Sequence, residues 1–235
     1  MAMHRKLPAI RSLNADIVVL PEVARPDVVA SKTPDFDPSL LVWRGSNRNK
    51  GLGVLANSAE WQLTIDDSYD PANEIVMPVR VRGPIDFNLL AVWSLRVDGK
   101  NPRNDVPGTV LRAIESAERF CSEMPLVVAG DFNNSAIWDR PGNMNNMAAI
   151  DAALGELGLA SAYHVAVDRL LGHEDDATLY WRDRKKDGHR YHIDYIYLPK
   201  TWFDRSVRFF VGGYDDFVAT KLSDHVPLSA AIAID

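Results

Sequence analysis

The chain has 235 residues, 46% hydrophobic and 25% charged, with a formal charge of −6 at pH 7. That length buries a sizeable core, and the acidity argues against a surface that coats nucleic acid with positive charge, although local Lys/Arg clusters can still hold a phosphate. The single cysteine, Cys121, excludes an intramolecular disulfide framework and a Cys-rich zinc site; no apolar run nears the roughly 20 residues of a membrane span, and MAMHRKLPAI lacks a secretory apolar region. One domain over 1–235 is expected, in a reducing, cytoplasmic setting, with no membrane partner and an open oligomeric state.

A weak helix is predicted over His4–Leu13. The strand after it, DIVVLP (16–21), stops at Glu22, where a carboxylate can bind a hard divalent cation through oxygen; most glutamates after strands are merely solvated. Before and into the strand GLGVLA (51–56), Arg44, Arg48 and Lys50 with Trp43 suit either a phosphate or base contact or an ordinary polar loop. Strands follow at EIVMPVRV (74–81) and FNLLAVW (87–93). Over 108–124, Val110, Ile114, Ala117, Cys121 and Met124 recur at spacings of three and four, predicting a helix with one face on a sheet.

LVVAGDFNNS (126–135) changes character halfway. Five small or apolar residues have the length of a buried strand, and Gly130 permits a sharp exit, so Asp131 emerges at a strand end with Asn133 beside it. Alone, this reads first as an Asx turn. Met147, Ile150, Leu154 and Leu157 predict a helix over 146–158, capped by Asn145 or Asn146 and stopped by Gly158. HEDD (173–176) has metal-type residues without periodic placement and reads as solvated loop. In WRDRKKDGHR (181–190), Arg182, Arg184, Lys185 and Lys186 can attract a polyanion; Asp183 and Asp187 dilute them, as in a solvated hairpin loop. Trp138, Trp181 and Trp202 are expected to pack.

In YHIDYIYL (191–198), strand alternation puts His192 and Asp194 on one face, so Asp194 can orient an imidazole, that of His192 or His225. A strand follows at SVRFFVG (206–212). LSDHVPLSA (222–230) opens the last strand, VPLSAAIAI (226–234), with Ser223, Asp224 and His225. This is either a metal carboxylate beside a general acid or base, or a turn with an exposed His. With no repeat or linker, strand-rich α/β parts favour two sheets face to face with helices outside.

Taken in order, LPE at a strand end, GDFN, HIDYI and a carboxyl-terminal SDH resemble the endonuclease/exonuclease/phosphatase superfamily, whose fold is that of deoxyribonuclease I. The resemblance spans residues 16–228. WRGSNRNKGLGVLA, FNNSAIWDRPG, GLASAYH and TLYWRDRKKDGHRYHIDYIYLP are similar to an uncharacterised bacterial subgroup. The resemblance implies an α/β (α+β) fold, a four-layer α-β-β-α sandwich of two mixed sheets. It also implies hydrolysis of phosphate esters, nucleic acid among them, with Mg²⁺ or Mn²⁺.

By matching position, Glu22 and Asp224 would hold metal, and Asp131 would handle the proton of the attacking water or leaving group. Asn133 would hold a phosphate oxygen, and His225, oriented by Asp194, would stabilise the developing charge. Arg44 and His192 join Asn133 as substrate contacts. The chemistry needs such a set, because anionic phosphate oxygens repel nucleophiles until a dication and oriented donors offset their charge.

Two departures stand out. The family opens with a strand ending in a metal-binding Asn, and none precedes the helix here, so neighbouring strands are expected to show unpaired edges unless an upstream segment or another chain covers them. The family's usual His or Tyr after FNLLAV is replaced by Trp93 and Ser94. A catalytically degenerate binding or scaffolding module is the alternative reading.

Overall fold

Every residue of the strand Phe87–Trp93 is buried, because its two faces serve two different cores. Phe87, Leu89 and Ala91 point into one, Leu90 and Val92 into the other, as period-two geometry requires. The computed structural model describes residues 3–71, 76–94, 109–182 and 184–233.

In chain order the strands are β1 (Ile17–Val23), β2 (Leu41–Asn47), β3 (Lys50–Ala56), β4 (Gln62–Ile65), β5 (Val76–Arg82), β6 (Phe87–Trp93) and β7 (Leu126–Asp131). There follow β8 (Leu159–Ser161), β9 (Leu179–Tyr180), β10 (Arg190–Tyr191), β11 (Asp194–Pro199), β12 (Val207–Val211) and β13 (Leu228–Ile232). The helices are α1 (Met3–Ser12), α2 (Pro26–Ala30), α3 (Thr109–Ser116), α4 (Glu118–Glu123), α5 (Met147–Glu156), α6 (Ala162–Val167) and α7 (Tyr214–Phe217). No helix among the described residues is long and apolar enough to cross a membrane.

A six-stranded sheet, β4-β5-β6-β7-β11-β8, forms the centre. Among the described residues only β6 and β7 pair in parallel within it. Its outer face packs on α3, α4 and α5 through Val110, Phe120, Ile150 and Leu154. Its inner face packs on a second β layer, with Leu52 and Val54 of β3 against Met77, Val79 and Leu89. That layer is covered by α1 and α2 through Met3, Leu7, Val28 and Val29. The four layers match the expected sandwich.

The second β layer differs from a mixed sheet. It comes in two antiparallel pieces, β1-β3-β2 and β12-β13. Among the described residues β1 pairs only with β3, and β13 only with β12. A cavity of about 560 Å³ runs between them, and its wall includes residues 15–23 and 222–232 without interruption. Consecutive residues line one space only when a strand presents its edge, since successive side chains point to opposite faces. Leu89 and Val127 close the slot on one side, Ile10 of α1 and Leu13 just beyond it on the other.

Local expectations fare unevenly. The helix expected over 108–124 is two helices, interrupted where Ala117 leaves helical geometry (φ −113°, ψ 27°); residue 108 lies outside the described residues, as do 74, 75 and 234 of the expected strands. Gly158 sits at φ +76° and ends α5 as expected. Asn146 occupies the cap position without capping by its side chain. The carboxylate of Asp139 does so instead, accepting from the amides of Met147 and Ala148 at 2.7 and 2.9 Å.

Candidate active site

Two strand ends are joined by the sheet itself. Gly130 has φ +141°, and a Cβ there would collide with the carbonyl oxygen of Val92 on the neighbouring strand. Only glycine lets β7 run this close to β6, and the next residue, Asp131, is delivered buried at the strand's end. Asp194 opens β11 as the Cα partner of Asp131, and Trp93 flanks Asp131 from β6.

The turn into β11 is set by Thr178, whose buried hydroxyl accepts from the amides of Ile193 and Asp194 at 3.0 and 3.1 Å. His225 enters through a bridge to Leu179 and through Nδ1, 2.8 Å from Oδ2 of Asp194. Ligand atoms of Asp131, Asp194 and His225 lie within 4.8 Å of one another. Both readings of GDFN hold together. The Asn133 amide donates to Oδ1 of Asp131 at 2.8 Å as an Asx turn does, and its side-chain Nδ2 donates to Oδ2 at 2.9 Å. Likewise the amide of His225 donates to the Ser223 hydroxyl at 3.2 Å.

Burial pushes the Asp131 carboxyl up to about 7, with the charge of Asp194 acting in the same direction; His225 and the Asn133 amide offset part of it. For His225, burial favours the neutral ring, but the charge and hydrogen bond of Asp194 outweigh it and hold the imidazole up to about 9. The site thus favours the protonated form of Asp131 more than an ordinary carboxylate site does, and the charged form of His225.

Glu22 and Asp224 line the same cavity as the triad. Glu22 sits at φ +61°, a strained conformation of the kind found at functional positions. Each faces a cation: Glu22 Oε1 is 2.9 Å from Lys50 Nζ, and Asp224 Oδ2 is 3.7 Å from Arg184 Nη2. Lys6, from α1, donates to the Ser223 hydroxyl at 3.3 Å; burial lowers its pKa while Asp224 and Glu22 oppose that. Lys6 carried no signal in the sequence, because it lies on a weakly patterned helix far from every motif. Three carboxylates, Glu22, Asp194 and Asp224, converging around buried Asp131 form an oxygen-rich set that fits a hard divalent cation.

Three expectations are corrected. His192 does not share a face with Asp194, because β10 ends at Tyr191 and β11 begins at Asp194, so alternation breaks between them. The residue is only 4% exposed, its ring against Tyr163 and Tyr195, with Nδ1 2.8 Å from the Asp176 carbonyl oxygen; it holds the fold and cannot touch substrate from there. Arg44 lies outside the cavity wall, exposed on β2 with its guanidinium 5.4 Å from the Tyr69 ring. HEDD is an exposed loop at His173, Asp175 and Asp176, as expected, but not at Glu174, whose side chain is buried, accepts from the Gly172 amide at 2.9 Å and pairs with His164 Nε2 at 3.1 Å.

No protein-family model matches the chain, and no curated protein matches it in sequence. Solved structures do match in shape. The endonuclease domain of TRAS1, a telomere-specific non-LTR retrotransposon, aligns at TM-score 0.63 and 16% identity over 99% of this chain and 92% of that one. The 3′ phosphatase NExo from Neisseria, bound to product DNA hairpin, aligns at 0.62 and 17% over 97% and 95%. An endonuclease/exonuclease/phosphatase family protein from Leptotrichia buccalis aligns at 0.57 and 16% over 99% and 92%. The architecture is thus the deoxyribonuclease I-like fold of the endonuclease/exonuclease/phosphatase proteins.

Proposed function

We propose that the cavity is a phosphoesterase site, cleaving phosphodiesters as a nuclease does or phosphomonoesters as a phosphatase does, with Mg²⁺ or Mn²⁺. The observation that carries this reading is the convergence of Asp131, Asp194 and His225 within 4.8 Å. The fold's occurrence in the telomere-specific endonuclease domain and in the Neisseria 3′ phosphatase supports it.

Glu22 and Asp224 would hold the cation, which when bound draws charge from phosphate oxygens and acidifies a water. Asp131, whose carboxyl is raised to about 7, accepts the proton of the attacking water, a base being most effective when its pKa lies near the working pH. Asn133 uses one amide hydrogen on Asp131 and has a second for a phosphate oxygen. His225 has Nδ1 committed to Asp194. Its Nε2–H remains to stabilise the developing charge or protonate the leaving oxygen. Removing one such donor typically costs about 10²- to 10³-fold in rate.

The test is hydrolysis of DNA, RNA, bis-p-nitrophenyl phosphate and a phosphomonoester, with Mg²⁺ or Mn²⁺ and with EDTA, by wild type, Asp131→Asn and His225→Ala. Turnover that needs the metal and falls in both variants supports the site; equal turnover by all three proteins rejects it. The divided second sheet and the Trp93-Ser94 pair favour a second reading, a binding module without catalysis. Calorimetric Mg²⁺ binding together with hydrolysis lost in Glu22→Gln would eliminate that alternative.

A further inference from the structure

Next to the strand ends that carry the site, the surface holds a cluster of partly exposed aromatic rings. Trp138 and Trp181, expected to pack, are 39% and 40% exposed, whereas Trp202 is buried. Tyr191 lies between the first two, its ring centroid 4.9 Å from Trp138 and 6.3 Å from Trp181, edge to face with both. The guanidinium of Arg182 covers Trp181 at 4.0 Å.

This strip is tied to the site through the backbone. Trp181 follows the pair Leu179–Tyr180, in which Leu179 bridges His225 and the Tyr180 amide donates to the Asp224 carbonyl at 2.8 Å. Trp138 closes the short turn after the Asp131–Asn133 strand end. Arg184 is held in place: the Tyr214 hydroxyl donates to its carbonyl at 2.7 Å, and its guanidinium reaches to 3.7 Å from the Asp224 carboxylate. Residues 182–190 carry Arg182, Arg184, Lys185, Lys186 and Arg190 against Asp183 and Asp187, a local excess of positive charge on a chain of net charge −6.

Aromatic faces interleaved with fixed cations suit unpaired bases joined by phosphates. We propose that Trp138, Tyr191 and Trp181 form a stacking strip for single-stranded nucleic acid, with Arg184 and its loop on the phosphates, leading one strand into the cavity. The proposal rests on the phosphoesterase reading for its purpose, and deepens it by naming the preferred substrate as single strands or unpaired ends. Stacking is indifferent to base identity because every base has a π face. It discriminates against duplex, whose bases face one another.

The experiment is fluorescence anisotropy of a labelled oligothymidylate of about 15 nucleotides and of a duplex of equal length, titrated with full-length protein in EDTA so that hydrolysis does not intervene. Wild type should bind the single strand at least tenfold more tightly than the duplex. Trp138→Ala and Trp181→Ala should each weaken single-strand binding about 5- to 100-fold and leave duplex binding unchanged, and Trp181→Phe should keep most of the affinity. Absent single-strand binding, equal affinity for both forms, or alanine variants indistinguishable from wild type would overturn the strip. Binding without hydrolysis in Mn²⁺ would uphold the strip while removing the catalytic reading; hydrolysis of bis-p-nitrophenyl phosphate without strand binding would do the reverse.

Discussion

Asp131 and Asp194 face each other directly across the antiparallel ladder of β7 and β11. Two like charges so placed repel unless something neutralises them, and the structure answers with His225, bound to Asp194 at 2.8 Å. The predictions below follow from that arrangement and from the sheets that hold it.

Asp194 keeps His225 charged. An NMR titration in EDTA should give wild-type His225 a pKa of about 9. In Asp194→Asn the value should fall well below that of wild type, because burial is then opposed only by the charges of Asp131 and Asp224. Because the folded value is raised, the stabilisation is complete below the unfolded pKa near 6.5 and disappears as pH rises through about 9. The urea midpoint should accordingly decline over that window in wild type, and less in His225→Gln.

Gly130→Ala should be costly in both stability and rate. A methyl group there meets the Val92 carbonyl, and φ +141° is strained for alanine. Urea unfolding should show a loss of about 2–4 kcal/mol, with hydrolysis falling further than stability explains, because Asp131 moves with the strand.

How much of this was legible? The apolar runs ending at Glu22 and Asp131, and the run that begins after His225, each announced a strand end with a polar group. Order along the chain pointed to the fold. Sequence alternation failed at His192 because Thr178, a residue distant in the chain, bonds two successive amides and breaks the strand there. Lys6 and Lys50 reach the carboxylates through tertiary packing, which no local pattern records. Buried Glu174 was misread for the same reason, since its partner His164 lies on α6, ten residues away and outside the loop's own pattern. Among the described residues β1 and β13 each have one edge without a ladder partner.

Glu174 is an ionised anchor of the fold. Burial opposes its charge, but the hydrogen bonds from His164 and the Gly172 amide prevail and hold it down to about 2. With its folded pKa depressed, its contribution is present above about 4.5 and lost as pH falls toward 2. Glu174→Gln should lose about 1–3 kcal/mol at pH 7, and the gap to wild type should close between pH 4.5 and 2 in denaturation experiments.

The two sheet edges should betray themselves in hydrogen exchange. Alternate amides of β1 and β13 that face the slot have no ladder partner among the described residues, whereas those of β6 are paired on both sides. Exchange at the slot-facing amides should be at least about 100-fold faster than in β6. Equal protection would mean that the edges are covered.

The central claim is that Asp131 and His225 act as one unit on one phosphate. The most direct measurement is a double-mutant cycle on kcat/KM for bis-p-nitrophenyl phosphate in Mn²⁺, using Asp131→Asn, His225→Ala and the pair. Each single change should cost about 10²- to 10⁴-fold, and the double variant should be no worse than the poorer single one, as for groups that work together. Independent, multiplicative losses, or no loss in either single variant, would contradict it.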